Sequence, residues 1–167
     1  MIRLHNQQDL QRTSAVARTY GLRSAEFLEY SVKRELPFRE ASRKSPLVFV
    51  RDDAVGKLST DGATVEVVVK FHVSLKESNA EDALGMLVVQ GAIELAYART
   101  ADGPSPTQED VDCFARINGV YNAWPYIREA TSVGFARVGY LPYTLDSLVI
   151  GAKPEGAEVA ANTPAQE

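Results

Sequence analysis

The sequence predicts an α+β fold, with an antiparallel sheet of three or four strands followed by helices. Two observations carry this. Between Ser24 and Ala98, apolar and polar residues alternate in several runs, as in strands with one wet face. From Thr107 onward the apolar residues recur at helical spacing instead. Strands that precede helices and have short connections argue for separate layers and antiparallel pairing.

The elements follow in order. Residues 6–21 ("NQQDLQRTSAVARTYG") are rich in helix formers, and Gly21 is placed to cap the end. In "EFLEYSVKREL", Leu28, Tyr30 and Val32 alternate with Glu29, Ser31 and Lys33, which reads as a strand that Pro37 ends. "FREASRKSP" is a polar connection. "LVFVRDDAVGKLS" is extended again, with an expected break near Asp52-Asp53, and "TDG" at 60–62 is a tight turn. The clearest strand is "TVEVVVKFHVSL". It puts Val65, Val67, Val69, Phe71, Val73 and Leu75 on one face. After the loop "KESNAED", Leu87, Val89, Ile93, Leu95 and Tyr97 share a face of the next strand. Gly91 inside it marks a bulge or a close backbone approach.

"RTADGPSP" ends the strands, and "TQED" at 107–110 is a helix N-cap with acids in the first turn. Asn118-Gly119 is expected to interrupt that helix. A second helix is then expected to start at Asn122 as its cap, with Pro125 in the first turn. Trp124, Ile127, Phe135 and Val138 face one way, and Gly139 stops the helix. "YLPYTLDSLVIG" is extended, and the tail from Lys153 has little to bury and is expected to be disordered. The domain division is a helical extension at 1–23, a single domain at 24–152 and a tail at 153–167.

Composition bounds the class. The 167 residues are 45% apolar and 24% charged, enough for one domain with a core. No apolar run approaches a membrane span, and "MIRLHNQQDLQR" lacks the apolar centre of an export signal. With a single Cys, the expectation is a soluble cytoplasmic protein. Residues 1–51 carry ten basic and five acidic side chains, a net of +5, so the rest carries −9 of the total −4. This asymmetry reads as a solvated face, and no dense basic run with interleaved aromatics points to nucleic acid.

Catalytic chemistry finds no constellation. His5 and His72 have no partner at metal-ligand spacing, so no metal or other cofactor is expected. Cys113 has no evident base. Neither a phosphate loop nor a nucleophile elbow occurs. Turn chemistry accounts for Asp52-Asp53 and Glu81-Asp82, and Arg128-Glu129 are adjacent and diverge on a helix. The expectation is a protein that is not an enzyme. What stands out is aromatic. Tyr121, Trp124, Tyr126, Phe135, Tyr140 and Tyr143 fall in one short segment, more than one helix face can bury. Either the tyrosines rim a core of Trp124 and Phe135, or the surplus lines a groove for a partner chain.

Three blocks resemble the SecB family, the bacterial protein-export chaperones. "TVEVVVKFHVSL" followed by "LVVQGAIELA" is similar to the family's hairpin, with Gln90-Gly91 at the matching place. "INGVYNAWPYIREATSVGFARVGYLPYTL" is similar to its most characteristic stretch, and "EYSVKRELP" is weakly similar to its first strand. The likeness spans roughly residues 24–150. It implies a four-stranded antiparallel sheet with helices on one face, assembled as a dimer of dimers. It also implies a holdase that works without ATP, keeps unfolded chains in apolar grooves and passes them to the SecA motor. The groove residues so indicated are Trp124, Tyr126, Tyr140, Leu141 and Tyr143, with Phe38 apart from them. Glu35 matches an acidic motor-docking position. A second such position, on the outer strand face, aligns with Leu87. The N-terminal helix is longer than the family's usual lead-in, as in SecB-like members that chaperone the antitoxin of a toxin–antitoxin pair.

Overall fold

A computed structural model describes residues 1–34, 47–76, 87–139 and 143–153. Its centre is the four-stranded antiparallel sheet. The strands are β2 (Tyr20–Arg34), β3 (Leu47–Leu58), β4 (Thr64–Lys76) and β5 (Leu87–Arg99), in the order β2-β5-β4-β3. The helices lie on one face: α1 (Gln7–Thr19), α2 (Gln108–Phe114) and α3 (Val120–Arg137).

The alternation in β4 is what makes the two layers. Val65, Val67, Val69, Phe71, Val73 and Leu75 are all buried beneath the helices, as are Leu87, Val89, Ile93, Leu95 and Tyr97 of β5. Each such side chain contributes roughly 1.5–3 kcal/mol by leaving water. The β3–β4 turn is closed by Gly62, whose φ of 66° suits a residue without Cβ. Asp61 accepts hydrogen bonds from the Ser59 hydroxyl (2.6 Å) and the Ala63 amide (3.0 Å).

Gly91 is the close backbone approach that its position suggested. A Cβ there would lie 2.4 Å from the Glu29 carbonyl oxygen and 3.1 Å from the Phe71 ring. The bulges belong to the neighbouring strand, β2, where the register slips between Leu22 and Ser24 and between Phe27 and Glu29. The second slip leaves Leu28 unpaired and exposed, so the expected alternation of Leu28 with Tyr30 and Val32 breaks there.

Several expectations are corrected. Gly21 does not cap α1; the helix ends at Thr19, Tyr20 is already extended, and Gly21 pairs with Ala98 in β2. Nor does β3 break at Asp52-Asp53. The ladder runs through both, because Asp52 pairs with Phe71 and Asp53 with Lys70, and the buried Asp52 carboxylate is held by Arg3. The carboxylates there form no turn.

Asn118-Gly119 does not end a helix. Residues Ala115–Gly119 form a π turn that joins α2 to α3 in one rod. Asn122 therefore caps nothing, and its amide donates instead to the Tyr97 hydroxyl (3.0 Å). Pro125 sits inside α3, past its first turn. It lacks the N–H that Tyr121's carbonyl would receive, and both residues are on the exposed side, where water reaches. The apolar phase explains the π turn. Continued as α-helix, the stripe Val111, Phe114 and Ala115 would turn Asn118, Tyr121 and Pro125 inward. One extra residue in the turn brings Val120, Ala123, Trp124, Ile127 and Phe135 onto the sheet instead.

The predicted caps at the rod's ends are present. Thr107 and Asp110 form a reciprocal capping box, and Gly139 (φ 82°) closes α3 by donating to the Ala136 carbonyl (3.1 Å). A second sheet was not anticipated. β1 (Ile2–His5) pairs in parallel with β6 (Val149–Ala152). Among the described residues of the stretch expected to be extended after Gly139, residues 143–148 are irregular and the strand begins at Val149. Residues 140–142, the connection after β2 and the tail from Pro154 lie outside the described residues.

Candidate functional site: an apolar trough along the helical rod

The rod's outer side carries a depression of about 400 Å³. Leu22, Tyr121, Trp124, Pro125, Tyr126 and Leu148 form much of its wall. Its geometry rests on two long-range hydrogen bonds. The Trp124 indole donates to the Asp146 carbonyl (2.9 Å), and the Arg128 guanidinium donates to the Leu145 carbonyl (2.8 Å). These strap the chain that leads to β6 along α3, while Leu145 and Leu148 anchor it in the core.

The trough continues toward α1. A second depression of about 500 Å³ is lined by Leu10, Thr13 and Ala17 of α1, Ile117 of the π turn, and Val149 and Ile150 of β6. Tyr121 and Leu148 line both depressions, so the two adjoin. A separate groove of about 310 Å³ lies on the opposite flank of α3, where Phe27, Tyr30, Ala130 and Val133 meet between Glu129 and Arg137. There the Tyr30 hydroxyl donates to the Ala130 carbonyl (2.8 Å), and Phe27 stacks edge-on against Tyr30 and Phe71. Burial raises the Tyr30 phenol above its ordinary pKa.

The sequence-predicted residues divide. Trp124 and Tyr126 come together at the trough. Trp124 is only 3% exposed, so it is a core side chain that forms the floor. Tyr143 is half-buried against the core. Phe38, Tyr140, Leu141 and Glu35 lie outside the described residues. Leu87 does not sit on an outer face; it is 1% exposed and packed beneath the helices. Leu22, Pro125 and Leu148 of the wall were not singled out as groove residues from the sequence, and Tyr121 was counted only in the aromatic surplus. Tyr121 (49% exposed) had a signal, because it is out of phase with the rod's apolar stripe. Leu22 and Leu148 had none, since their placement depends on β2 starting early and on the strap.

The titratable side chains whose surroundings shift them stand apart from the trough lining. Cys113 is buried. It donates to Asp9 (3.6 Å) and accepts from Arg116 (3.3 Å). Burial, then the Asp9 carboxylate, pushes its thiol up, away from thiolate character. Burial lowers the His5 imidazole. Burial also pushes Tyr97 up to about 12, against the hydrogen bond from Asn122. Among the described residues no group of three His, Cys, Asp or Glu side chains is placed to hold a metal ion. No helix among them is long and apolar enough to cross a membrane.

No protein-family model and no curated protein matches the sequence. Solved structures do. The chain superposes on a SecB-like chaperone of Mycobacterium tuberculosis, determined in complex with a ChAD peptide from the HigA1 antitoxin. The TM-score is 0.72 at 14% identity, covering 83% of this chain and 98% of that one. A protein of unknown function from Streptococcus agalactiae overlaps at a TM-score of 0.42 and 14% identity, over 76% of this chain and 96% of that one. The fold of this protein is thus SecB-like: the four-stranded antiparallel sheet and one-sided helical layer are shared with the mycobacterial chaperone.

Proposed function

We propose that this protein is a SecB-like chaperone that holds extended, unfolded polypeptide in the apolar trough, without nucleotide, metal or catalysis. The observation that carries this reading is the trough itself, with Leu22 and Tyr121 exposed over a floor of Trp124 and Leu148. Large apolar side chains in solvent, gathered in one concavity on a rigid rod, suit a sequence-tolerant partner. Aromatic side chains give contact area at low rotamer cost. The fold supports the reading, since the mycobacterial neighbour holds a peptide.

The client we favour is the antitoxin of a toxin–antitoxin pair, the partner from which that neighbour's peptide derives. Delivery of preproteins to an export motor is the alternative. It is supported less, because the neighbour's peptide comes from an antitoxin. The protein is proposed to act in the cytoplasm as a homo-oligomer, a dimer of dimers.

The test is aggregation of a thermally unfolded client at equimolar protein and no ATP. Suppression is expected, and its loss in Leu22→Ser and Tyr121→Ser ties it to the trough. Unaltered aggregation with the wild-type protein would overturn the reading. Tighter binding of an antitoxin-derived peptide than of an unfolded preprotein decides the client.

A further inference from the structure

His5 is the last residue of β1 and joins the small sheet to the start of α1. Its carbonyl accepts from the Lys153 amide (2.8 Å), and Asn6, the next residue, caps α1. Along β1, Ile2 and Leu4 are exposed, while Arg3 and His5 are half-buried on the inward side. There the imidazole Nε2 is withdrawn from water and has no hydrogen-bond partner within the protein.

The surroundings decide which charge this ring can carry. Arg3 of β1, Arg116 of the π turn and Lys153 just past β6 bring three positive charges to bear on it. Among the described residues, Asp9 of α1 is the carboxylate that opposes them. Asp9 is already engaged, since its oxygens accept from the Asn6 amide (3.0 Å) and from the Cys113 thiol of α2 (3.6 Å). A neutral ring leaves Nε2 buried and unpaired at modest cost. A protonated ring places an N–H and positive charge there, with neither water nor an acceptor to meet them. Burial is the largest cause of the lowered imidazole pKa; the three cations act in the same direction.

Position turns this into a movement. The charged ring reaches water when the end of β1 swings outward, and that breaks the last rung of the β1–β6 pair, His5 opposite Ala152. A two-stranded sheet is marginal by itself. Val149 and Ile150 of the same sheet line the depression beside α1, so their place depends on its closure.

We propose that His5 is an acid-sensitive latch on the β1–β6 sheet. Neutral, it lets the sheet close against the body of the protein; protonated, it releases the sheet and with it the Val149–Ile150 wall. The device does not depend on what the trough holds. A base whose pKa is lower in the closed sheet binds its proton preferentially in the open one. Closure is thus fully favoured above the ordinary 6.5, and that preference is lost as pH falls from there toward the folded value.

The test is amide hydrogen exchange of the full chain at pH 7.5 and 5.5, expressed as protection relative to an unstructured peptide at the same pH. Wild-type protection at Lys153 and Val149 is expected to fall about three- to tenfold at the lower pH, while β4 and β5 stay protected. Tenfold is roughly the limit for an opened histidine whose ordinary pKa lies one unit above the measuring pH. His5→Phe and His5→Gln have no imidazole to titrate, and protection in each is expected to be the same at both pH values. His72, the other histidine, is present in all three proteins, so its titration is common to them. Unchanged wild-type protection overturns the latch, and so does an equal fall in a variant that still forms the small sheet. The wild-type protein also decides without the variants. Its His5 ring signals, followed by NMR, are expected to titrate below pH 6.5 with the Lys153 amide shifting in step. A midpoint at 6.5 or above overturns the latch whatever the variants do.

Discussion

Gly91 has no room for a side chain, because the Glu29 carbonyl and the Phe71 ring occupy the space a Cβ would need. The nearest atom is backbone, so β2 itself would have to shift. Gly91→Ala is expected to cost about 1–3 kcal/mol, read as a lower urea midpoint at constant m-value. Cys113 is the second residue-scale case. Its buried, upshifted thiol should label with a disulfide reagent at pH 7 only as fast as the fold opens. Labelling at the rate of a free thiol would contradict its burial. Both residues stood out in the sequence. The glycine's role was legible because a strand interior seldom tolerates one. The environment of the thiol was not, since Asp9 is on another helix.

At the level of elements, the rod from Gln108 to Arg137 depends on its π turn and its cap. Gly119 in that turn leaves no space, since a Cβ would lie 2.7 Å from Val67. Deleting Asn118 would restore α-helical spacing but rotate either Val111 and Phe114 or Trp124 and Ile127 off the sheet. That deletion is expected to abolish cooperative unfolding, whereas an alanine substitution at Asn118 is tolerated. The cap adds a pH dependence. The side-chain hydrogen bond from Thr107, joined by that of its backbone amide, lowers the Asp110 carboxyl below its ordinary 3.8. A carboxylate depressed in the folded state stabilises above its unfolded pKa, and that contribution is lost as pH falls through the folded one. Thr107→Ala is therefore expected to lower stability by about 1 kcal/mol at pH 7, with the difference from wild type shrinking below about pH 4. A constant difference from pH 7 to pH 3 would show that the cap acts without the Asp110 charge.

For the whole molecule, the notable feature is how the chain ends are joined. β1 and β6 pair although nearly the full sequence separates them, and Arg3 ties this small sheet to the buried Asp52 of β3. The pair, rather than local propensity, fixes where β6 runs and hence one wall of the trough. Asp52→Ala leaves the guanidinium without its partner, at a cost of about 1–3 kcal/mol. Hydrogen exchange should then speed up first at Val149 and Lys153, whose amides bond to Met1 and His5 (3.0 and 2.8 Å), while β4 and β5 remain protected. Equal protection at Val149 and Lys153 in both proteins would mean that the ion pair does not hold the small sheet. Mass in solution, with and without an unfolded client, checks the proposed assembly.

Local pattern alone determined the two layers of this protein. The six-fold alternation of β4, the shared face of β5, the cap at Thr107 and the stop at Gly139 each act within a few residues, so composition and period are enough to read them. Tertiary structure decided what lies between and around them. It carried β3 through two aspartates by giving Asp52 an arginine from the far end of the chain. It turned a predicted helix break into a π turn, because both apolar stripes had to reach one sheet. It brought Leu22, Tyr121 and Leu148 to one trough from three distant segments. Those outcomes depend on contacts between residues far apart in sequence, and no window of the chain contains both partners.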